Sequence, residues 1–158
     1  MFRGIFESTI DSKGRSSLPA KFREVLTDSF ADERFFITNS YPVEMEEGTQ
    51  CSGLMIIPYQ EWFRFEENFL NSKGLTPVQR NNILYSIVSP AQECTADKLG
   101  RILLPPNHRK TAGLDRDIVY VGALKRAEIW NASEWERVRI QAMKNFPTTT
   151  EAAAEFGL

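Results

Sequence analysis

One histidine and two cysteines in 158 residues leave little material for metal or nucleophile chemistry. His108 cannot complete a zinc site with Cys51 and Cys94, which form no C-x-x-C pattern and match no familiar ligand spacing. The cysteines read as two separate reduced thiols. A Ser/His/Asp triad would have to use His108, which precedes Arg109 in a helix-start pattern where a surface role is expected. No apolar run approaches the ~18–20 residues of a membrane helix. The opening Met1-Phe2-Arg3-Gly4 has no signal-peptide apolar core, so a cytoplasmic location is expected. Gly100-Arg101-Ile102-Leu103-Leu104 lacks the spacing and the Lys-Ser/Thr of a phosphate loop. These absences leave no visible site for an enzyme, a metal or another cofactor, and they point to neither a membrane partner nor a small-molecule substrate.

The 19 basic and 21 acidic residues nearly cancel, to a net −2, but they are segregated along the chain. Residues 1–23 carry +3, residues 24–72 carry −8, residues 73–126 carry +5 and residues 127–158 carry −2. Binding to a polyanion follows the local patch rather than the sum, so the two basic segments remain candidates for nucleic acid.

Each basic segment holds one copy of a thirteen-residue element. Asp11-Ser12-Lys13-Gly14-Arg15-Ser16-Ser17-Leu18-Pro19-Ala20-Lys21-Phe22-Arg23 recurs as Asp97-Lys98-Leu99-Gly100-Arg101-Ile102-Leu103-Leu104-Pro105-Pro106-Asn107-His108-Arg109, at an offset of 86. The pattern D-x-x-G-R-x-x-L-P-x-x-x-R keeps six of thirteen positions identical. A repeat decides architecture before any local feature, and this one describes a small unit built twice.

The flanking residues support that reading. Residues 5–10 form a strand pattern, 11–14 a tight turn shaped by Asp11 and Gly14, and 15–18 a returning strand. Pro19 opens a helix from Ala20 to about Leu26. Strands follow at 35–38 and 54–57, and between them residues 39–53 form a polar loop with Glu44, Glu46 and Glu47. A helix over 60–70 carries Trp62, Phe63, Phe65 and Phe69 as a packing face; Thr76 caps a second helix with Pro77 at its first position. The second half repeats the order: strand 91–96, turn 97–100, strand 101–104, a short helix from Pro105-Pro106, strands at 118–121 and 128–130, and a helix from Ser133. The acidic stretch 39–53 has no counterpart there.

The units are therefore 1–72 with its insertion, a helical connector at 73–90, a second repeat at 91–146 and a tail at 147–158. Four short strands cannot close a core alone. Two halves that interleave their strands give a β-rich α+β fold, expected here as a small pseudo-two-fold barrel with the connector and C-terminal helices outside.

These features together resemble the MraZ family, whose members carry two D-x-x-x-R elements in one chain. The residues that carry the resemblance are Met1-Phe2-Arg3-Gly4, Asp11-Ser12-Lys13-Gly14-Arg15 with Leu18-Pro19, and Glu93-Cys94 before Asp97. Gly100-Arg101-Ile102-Leu103-Leu104-Pro105, Ala112-Gly113-Leu114, Val121-Gly122 and Glu128-Ile129-Trp130 extend it over nearly the whole chain. Two features depart from the family pattern: the length of the 39–53 insertion and the polarity of Ser16-Ser17. The resemblance implies an AbrB-like, swapped-hairpin (double-psi-like) barrel. It also implies a nucleoid-associated bacterial transcriptional regulator of the division and cell-wall gene cluster. Such a regulator binds double-stranded DNA at tandem direct repeats of its own promoter, as a ring-shaped homo-oligomer without a cofactor.

The candidate DNA-binding residues are Arg3, Lys13, Gly14, Arg15, Lys98 and Arg101, with Asp11, Asp97 and Gly100 shaping the turns. An arginine fork matches guanine O6 and N7 in the major groove, while lysine acts as a point charge on phosphate. Two other readings of the residues stay open. Arg15 can instead pair with a carboxylate on a barrel strand, and the apolar strand after Arg101 can make the second copy chiefly a structural partner. At the level of the whole chain, the rival reading is an oligomeric protein–protein module whose working surface is the acidic insertion.

Overall fold

A computed structural model of the chain describes residues 1–157. Among the described residues there are ten strands and six α-helices. The first half comprises β1 (Ile5–Thr9), β2 (Arg15–Ser17), α1 (Ala20–Phe30), β3 (Phe35–Asn39), β4 (Val43–Glu44), β5 (Gln50–Cys51), β6 (Leu54–Pro58) and α2 (Tyr59–Leu70). The connector is α3 (Pro77–Ile83), which widens into a π-helical turn over Leu84–Val88. The second half comprises β7 (Gln92–Cys94), β8 (Arg101–Leu103), α4 (Pro106–Thr111), β9 (Asp117–Ala123), β10 (Arg126–Asn131) and α5 (Ala132–Asn145). A 3₁₀ turn over Phe146–Thr149 and α6 (Thr150–Ala154) complete the described chain.

The halves exchange strands. The main sheet is antiparallel and six-stranded, in the order β1-β9-β10-β6-β3-β7. The order reads the same from either end once each strand is replaced by its repeat partner. β10 meets β6 at the centre, with Glu128 opposite Met55. The first strand of each half pairs with the other half's sheet: Ser8 lies opposite Ile118, and Cys94 opposite Phe35. β2 pairs with β8 to make a separate two-stranded ribbon.

This arrangement corrects the expectation of a closed barrel. Among the described residues, β1 and β7 remain the two ends of the hydrogen-bonded sheet, and the ribbon forms a sheet of its own. The returning strand does not fold back as a hairpin on β1 either. After the turn bond from the Asp11 N–H to the Arg15 carbonyl at 2.8 Å, β2 diverges to β8. β2 is three residues long and is followed shortly by Pro19, which has no N–H for a ladder.

The core fills the space between the sheet and the ribbon. Phe2, Leu18, Phe22, Leu26, Phe35, Ile37, Leu54, Ile56, Ile102, Leu104, Ile118, Tyr120 and Ile129 are buried together. Phe22 is wedged edge-on between Phe2 and Phe6, at centroid distances of 5.2 and 5.3 Å, geometry that favours the ring quadrupoles. Ser16 is as buried as its repeat partner Ile102. Its hydroxyl lies 3.1 Å from that of Ser8, so polarity at this position is accommodated inside the fold.

α1 runs four residues beyond its expected end. Thr27 returns its hydroxyl to the Arg23 carbonyl at 2.8 Å, and the helix stops at Ala31 in the left-handed region (φ 51°). The connector follows the sequence pattern closely. Thr76 accepts from the Gln79 N–H and Gln79 returns the bond, a complete capping box. At the other end, Thr38 and Asn39 of β3 donate to the Ile87 and Ser86 carbonyls, which the helix end leaves unpaired. Trp62 of α2 stacks on Phe36 at 4.9 Å and is buried with Met55 and Ile87. The tryptophans and the Phe65–Phe69 pair serve packing, as their spacing suggests.

Two further expectations are revised. His108 is not on the surface: it is 3% exposed, on α4, and neither ring nitrogen has a hydrogen-bond partner within normal geometry. Burial pushes its pKa down, partly offset by the Pro90 backbone carbonyl. The insertion is not an open loop, because β4 and β5 pair within it. It carries Met45 and Cys51 onto a cluster with Val119, Val121 and Trp130. Cys51 and Cys94 are both free thiols, each pushed up to about 11 chiefly by burial.

Candidate nucleic-acid interface

Each copy of the motif folds its first five residues into the same turn. Asp11 Oδ1 accepts from the N–H groups of Lys13 and Arg15, and Arg15 Nε donates to Oδ2, all at 2.9 Å. Asp97 does the same with the N–H groups of Leu99 and Arg101 and with Arg101 Nε, again at 2.9 Å. Aspartate suits this place because its short side chain reaches backbone two residues on. Gly14 (φ 79°) and Gly100 (φ 76°) occupy the left-handed region that side chains disfavour. Both carboxyls are held below the ordinary aspartate value. The chief cause is the backbone N–H of the turn arginine; desolvation opposes it, and the arginine side chain and the second N–H add to it.

The turns lock the two copies together. The Leu18 N–H donates to the Gly100 carbonyl and the Leu104 N–H to the Gly14 carbonyl, both at 2.9 Å. Each turn therefore sits at one end of the β2–β8 ribbon. Within the ribbon, Arg15 faces Leu103, Ser16 faces Ile102 and Ser17 faces Arg101. Side chains alternate along a strand. Ser16 and Ile102 point into the core, so Arg15, Ser17, Arg101 and Leu103 share the outer face. The two arginines stand two positions apart on neighbouring strands, about 7 Å along the ribbon and about 5 Å across it.

Nε of each arginine is committed to its own turn, which fixes the guanidinium while leaving the Nη nitrogens for a ligand. Arg15 thus pairs with a carboxylate, but with Asp11 of its own turn rather than with one on a neighbouring strand. Lys13 and Lys98 are exposed at the tips. Arg3 is not brought to the first turn: it lies at the other end of β1, around a hollow shared with Lys21, Glu24 and Asp28. Ser17 and Leu103 complete the face and were overlooked in the sequence, although the buried-exposed alternation through Ser16 and Ile102 carried the signal. The second copy's strand is apolar but not wholly internal, since Leu103 is 58% exposed.

The acidic insertion faces elsewhere. Glu46 binds Lys144 at 2.8 Å and Asn145 at 3.2 Å, and Glu47 pairs with Arg137. Gln141 accepts from the Glu46 N–H and donates to the Glu44 carbonyl. Two of its three acids are thus turned onto α5.

Comparison with known proteins bears on the same features. A family model described as "MraZ protein, putative antitoxin-like" matches residues 87–157. The chain is 63% identical to the transcriptional regulator MraZ of Geobacter metallireducens, 61% to that of Geobacter sulfurreducens and 55% to that of Geotalea daltonii. In each case the alignment covers all of both chains.

Proposed function

The chain belongs to the MraZ family, and on that premise we propose that it is a transcriptional regulator that binds double-stranded DNA through the outer face of the β2–β8 ribbon. The observation that carries this reading is the pair of identical arginine turns at the two ends of one exposed ribbon. A two-stranded ribbon fits the major groove, where the free Nη nitrogens of Arg15 and Arg101 can pair with guanine O6 and N7. Lys13 and Lys98 are then placed for phosphates on either side.

One such ribbon offers few contacts. The finer reading follows: the protein acts as a ring-shaped homo-oligomer on tandem promoter repeats of the division and cell-wall gene cluster. Matching spacings then multiply affinity by ~10²–10⁴ over one subunit. The exchanged strands support the swapped-hairpin description, and this reading divides the chain into 1–72, 73–90, 91–146 and 147–158. In this reading the protein is not an enzyme, needs no cofactor and works in the cytoplasm at the nucleoid. No described helix is long and apolar enough to cross a membrane.

Binding to a tandem-repeat promoter duplex and to a scrambled duplex of equal length tests the proposal. The wild type is expected to prefer the repeats, and Arg15→Ala to abolish that preference. Equal affinity for both duplexes, or an unaffected Arg15→Ala variant, refutes it. The rival protein-interaction reading would need DNA binding to be absent and partner capture to depend on residues 42–50.

A further inference from the structure

The last identical position of the motif, Arg23 in one copy and Arg109 in the other, is left unused by that reading. Neither residue serves the turn of its own copy. A Cβ placed on Gly14 would lie 3.1 Å from both Cζ and Nη2 of Arg109. A Cβ placed on Gly100 would lie 2.5 Å from Nη1 and 2.6 Å from Cζ of Arg23. Each turn glycine is therefore the floor on which the arginine of the other copy rests. Arg109 is fixed there further, because its Nε donates to the Leu104 carbonyl at 3.1 Å, while the Leu104 N–H holds the Gly14 carbonyl.

These two arginines differ electrically from Arg15 and Arg101. The latter are ion-paired to Asp11 and Asp97 at 2.9 Å. Among the described residues, no carboxylate lies within ion-pair distance of Arg23 or Arg109. Glu33 and Asp97 line the hollow of about 270 Å³ beside Arg23, together with Lys98, but Asp97 is paired with Arg101 and neither carboxylate is within ion-pair distance of Arg23. Beside each turn's own exposed lysine, Lys13 or Lys98, a further positive charge thus comes from the opposite copy, held against the backbone by a residue type with no side chain to displace it.

We infer that Arg23 and Arg109 are DNA-phosphate contacts, each working with the turn of the other copy. The reading units are then composite: turn 11–15 with Arg109, and turn 97–101 with Arg23. This rests on the DNA reading above. It adds two ligand residues and a rule for which residues act together. An uncompensated guanidinium beside a groove-reading turn suits a phosphate, which it meets with two parallel donors.

The test is equilibrium binding of the full chain to the repeat and scrambled duplexes across a salt series, using fluorescence anisotropy. Arg23→Gln and Arg109→Gln are each expected to weaken binding to both duplexes by about eightfold at 0.1 M salt and to lower the log–log salt slope by ~0.9. The preference for the repeat duplex should stay unchanged. Arg23→Lys and Arg109→Lys should keep the slope, and they also serve as probes should a glutamine variant fail to fold. Pairing each with Lys13→Gln tests the rule. Lys13→Gln with Arg109→Gln should depart from the product of the single effects by more than about twofold, while Lys13→Gln with Arg23→Gln should multiply. Unchanged slopes in folded glutamine variants, a lost slope in the lysine variants, or coupling of Lys13 to Arg23 rather than Arg109 overturns the inference while leaving the ribbon reading in place. A wild-type chain that binds neither duplex overturns both.

Discussion

The turn glycines allow backbone strain and ligand contact to be separated by experiment. Gly14→Ala and Gly100→Ala each force a side chain into the left-handed region, at φ 79° and 76°. That conformation costs about 1–2 kcal/mol for an ordinary residue. In a chain of this length, the loss lowers the thermal midpoint by roughly 2–8 °C. Gly48 supplies the reference, since it has φ 84° and nothing within 4 Å of an added Cβ. Crowding adds little to stability in either turn, because the atoms met are the far ends of flexible arginines. Its effect falls on position instead. Arg109 must give by a few tenths of an ångström, while Arg23, met at 2.5 Å, must leave its seat. All three alanine variants should therefore lose similar stability by differential scanning calorimetry. Only Gly14→Ala and Gly100→Ala should lose DNA affinity, with the larger loss at Gly100. If both turn variants bind DNA as well as Gly48→Ala does, the seating of arginines by glycine has no part in binding. If they lose several times more stability than Gly48→Ala, the seat is a structural element first.

Two further outcomes follow from the core. Because His108 is the only histidine and its pKa is lowered in the fold, the native state resists its protonation. The stability it permits is complete above the unfolded value near 6.5 and falls as pH drops through that value, by up to ~1.36 kcal/mol per pH unit. Denaturant unfolding from pH 7.5 to 5.5 should show this decline, and His108→Phe should flatten it; an equal slope in the variant would assign the dependence elsewhere. Met45 of the insertion is 5% exposed and packs with Val119, Val121 and Trp130. Met45→Ala should cost about 2–5 kcal/mol in urea unfolding and leave DNA affinity unchanged; a loss under 1 kcal/mol would make the insertion a loose attachment.

The repeat made the pseudo-two-fold order and the turn chemistry legible, because Asp and Gly at fixed positions have few local solutions. Element order was readable too: the Thr76 cap, the Pro19 and Pro105 helix starts, and the aromatic face of α2 all depend on near neighbours. Strand partners were not. Whether Arg15–Ser17 pairs with β1 or with β8 depends on contacts 86 residues away, and three-residue strands carry no register signal of their own. His108 was misplaced for a related reason. Its neighbours Asn107 and Arg109 are polar, and the side of α4 that meets β3 is set by the exchanged strands. The acids of the insertion read as a free surface because Arg137, Gln141 and Lys144, which bind them, lie about ninety to a hundred residues further along.

The backbone keeps the dyad more strictly than the side chains do. Arg15 and Arg101 repeat, as do Arg23 and Arg109, so the parts assigned here to guanine and phosphate are duplicated. Between them the copies diverge: Ser12 against Lys98, Lys13 against Leu99, Ser17 against Leu103. The tip lysine has moved by one position, and on the outer face Arg101 stands opposite a hydroxyl, Ser17, whereas Arg15 stands opposite an exposed leucine, Leu103. A hydroxyl can bond any base edge, whereas an apolar side chain favours the thymine methyl. A reader with matching halves selects a palindrome, because operator symmetry mirrors protein symmetry. A two-fold backbone bearing unlike side chains is instead suited to a segment whose two halves differ, and such a segment can be repeated head to tail along DNA. Joining both copies in one chain makes this possible, since a homodimer of a single copy could not vary its two turns independently.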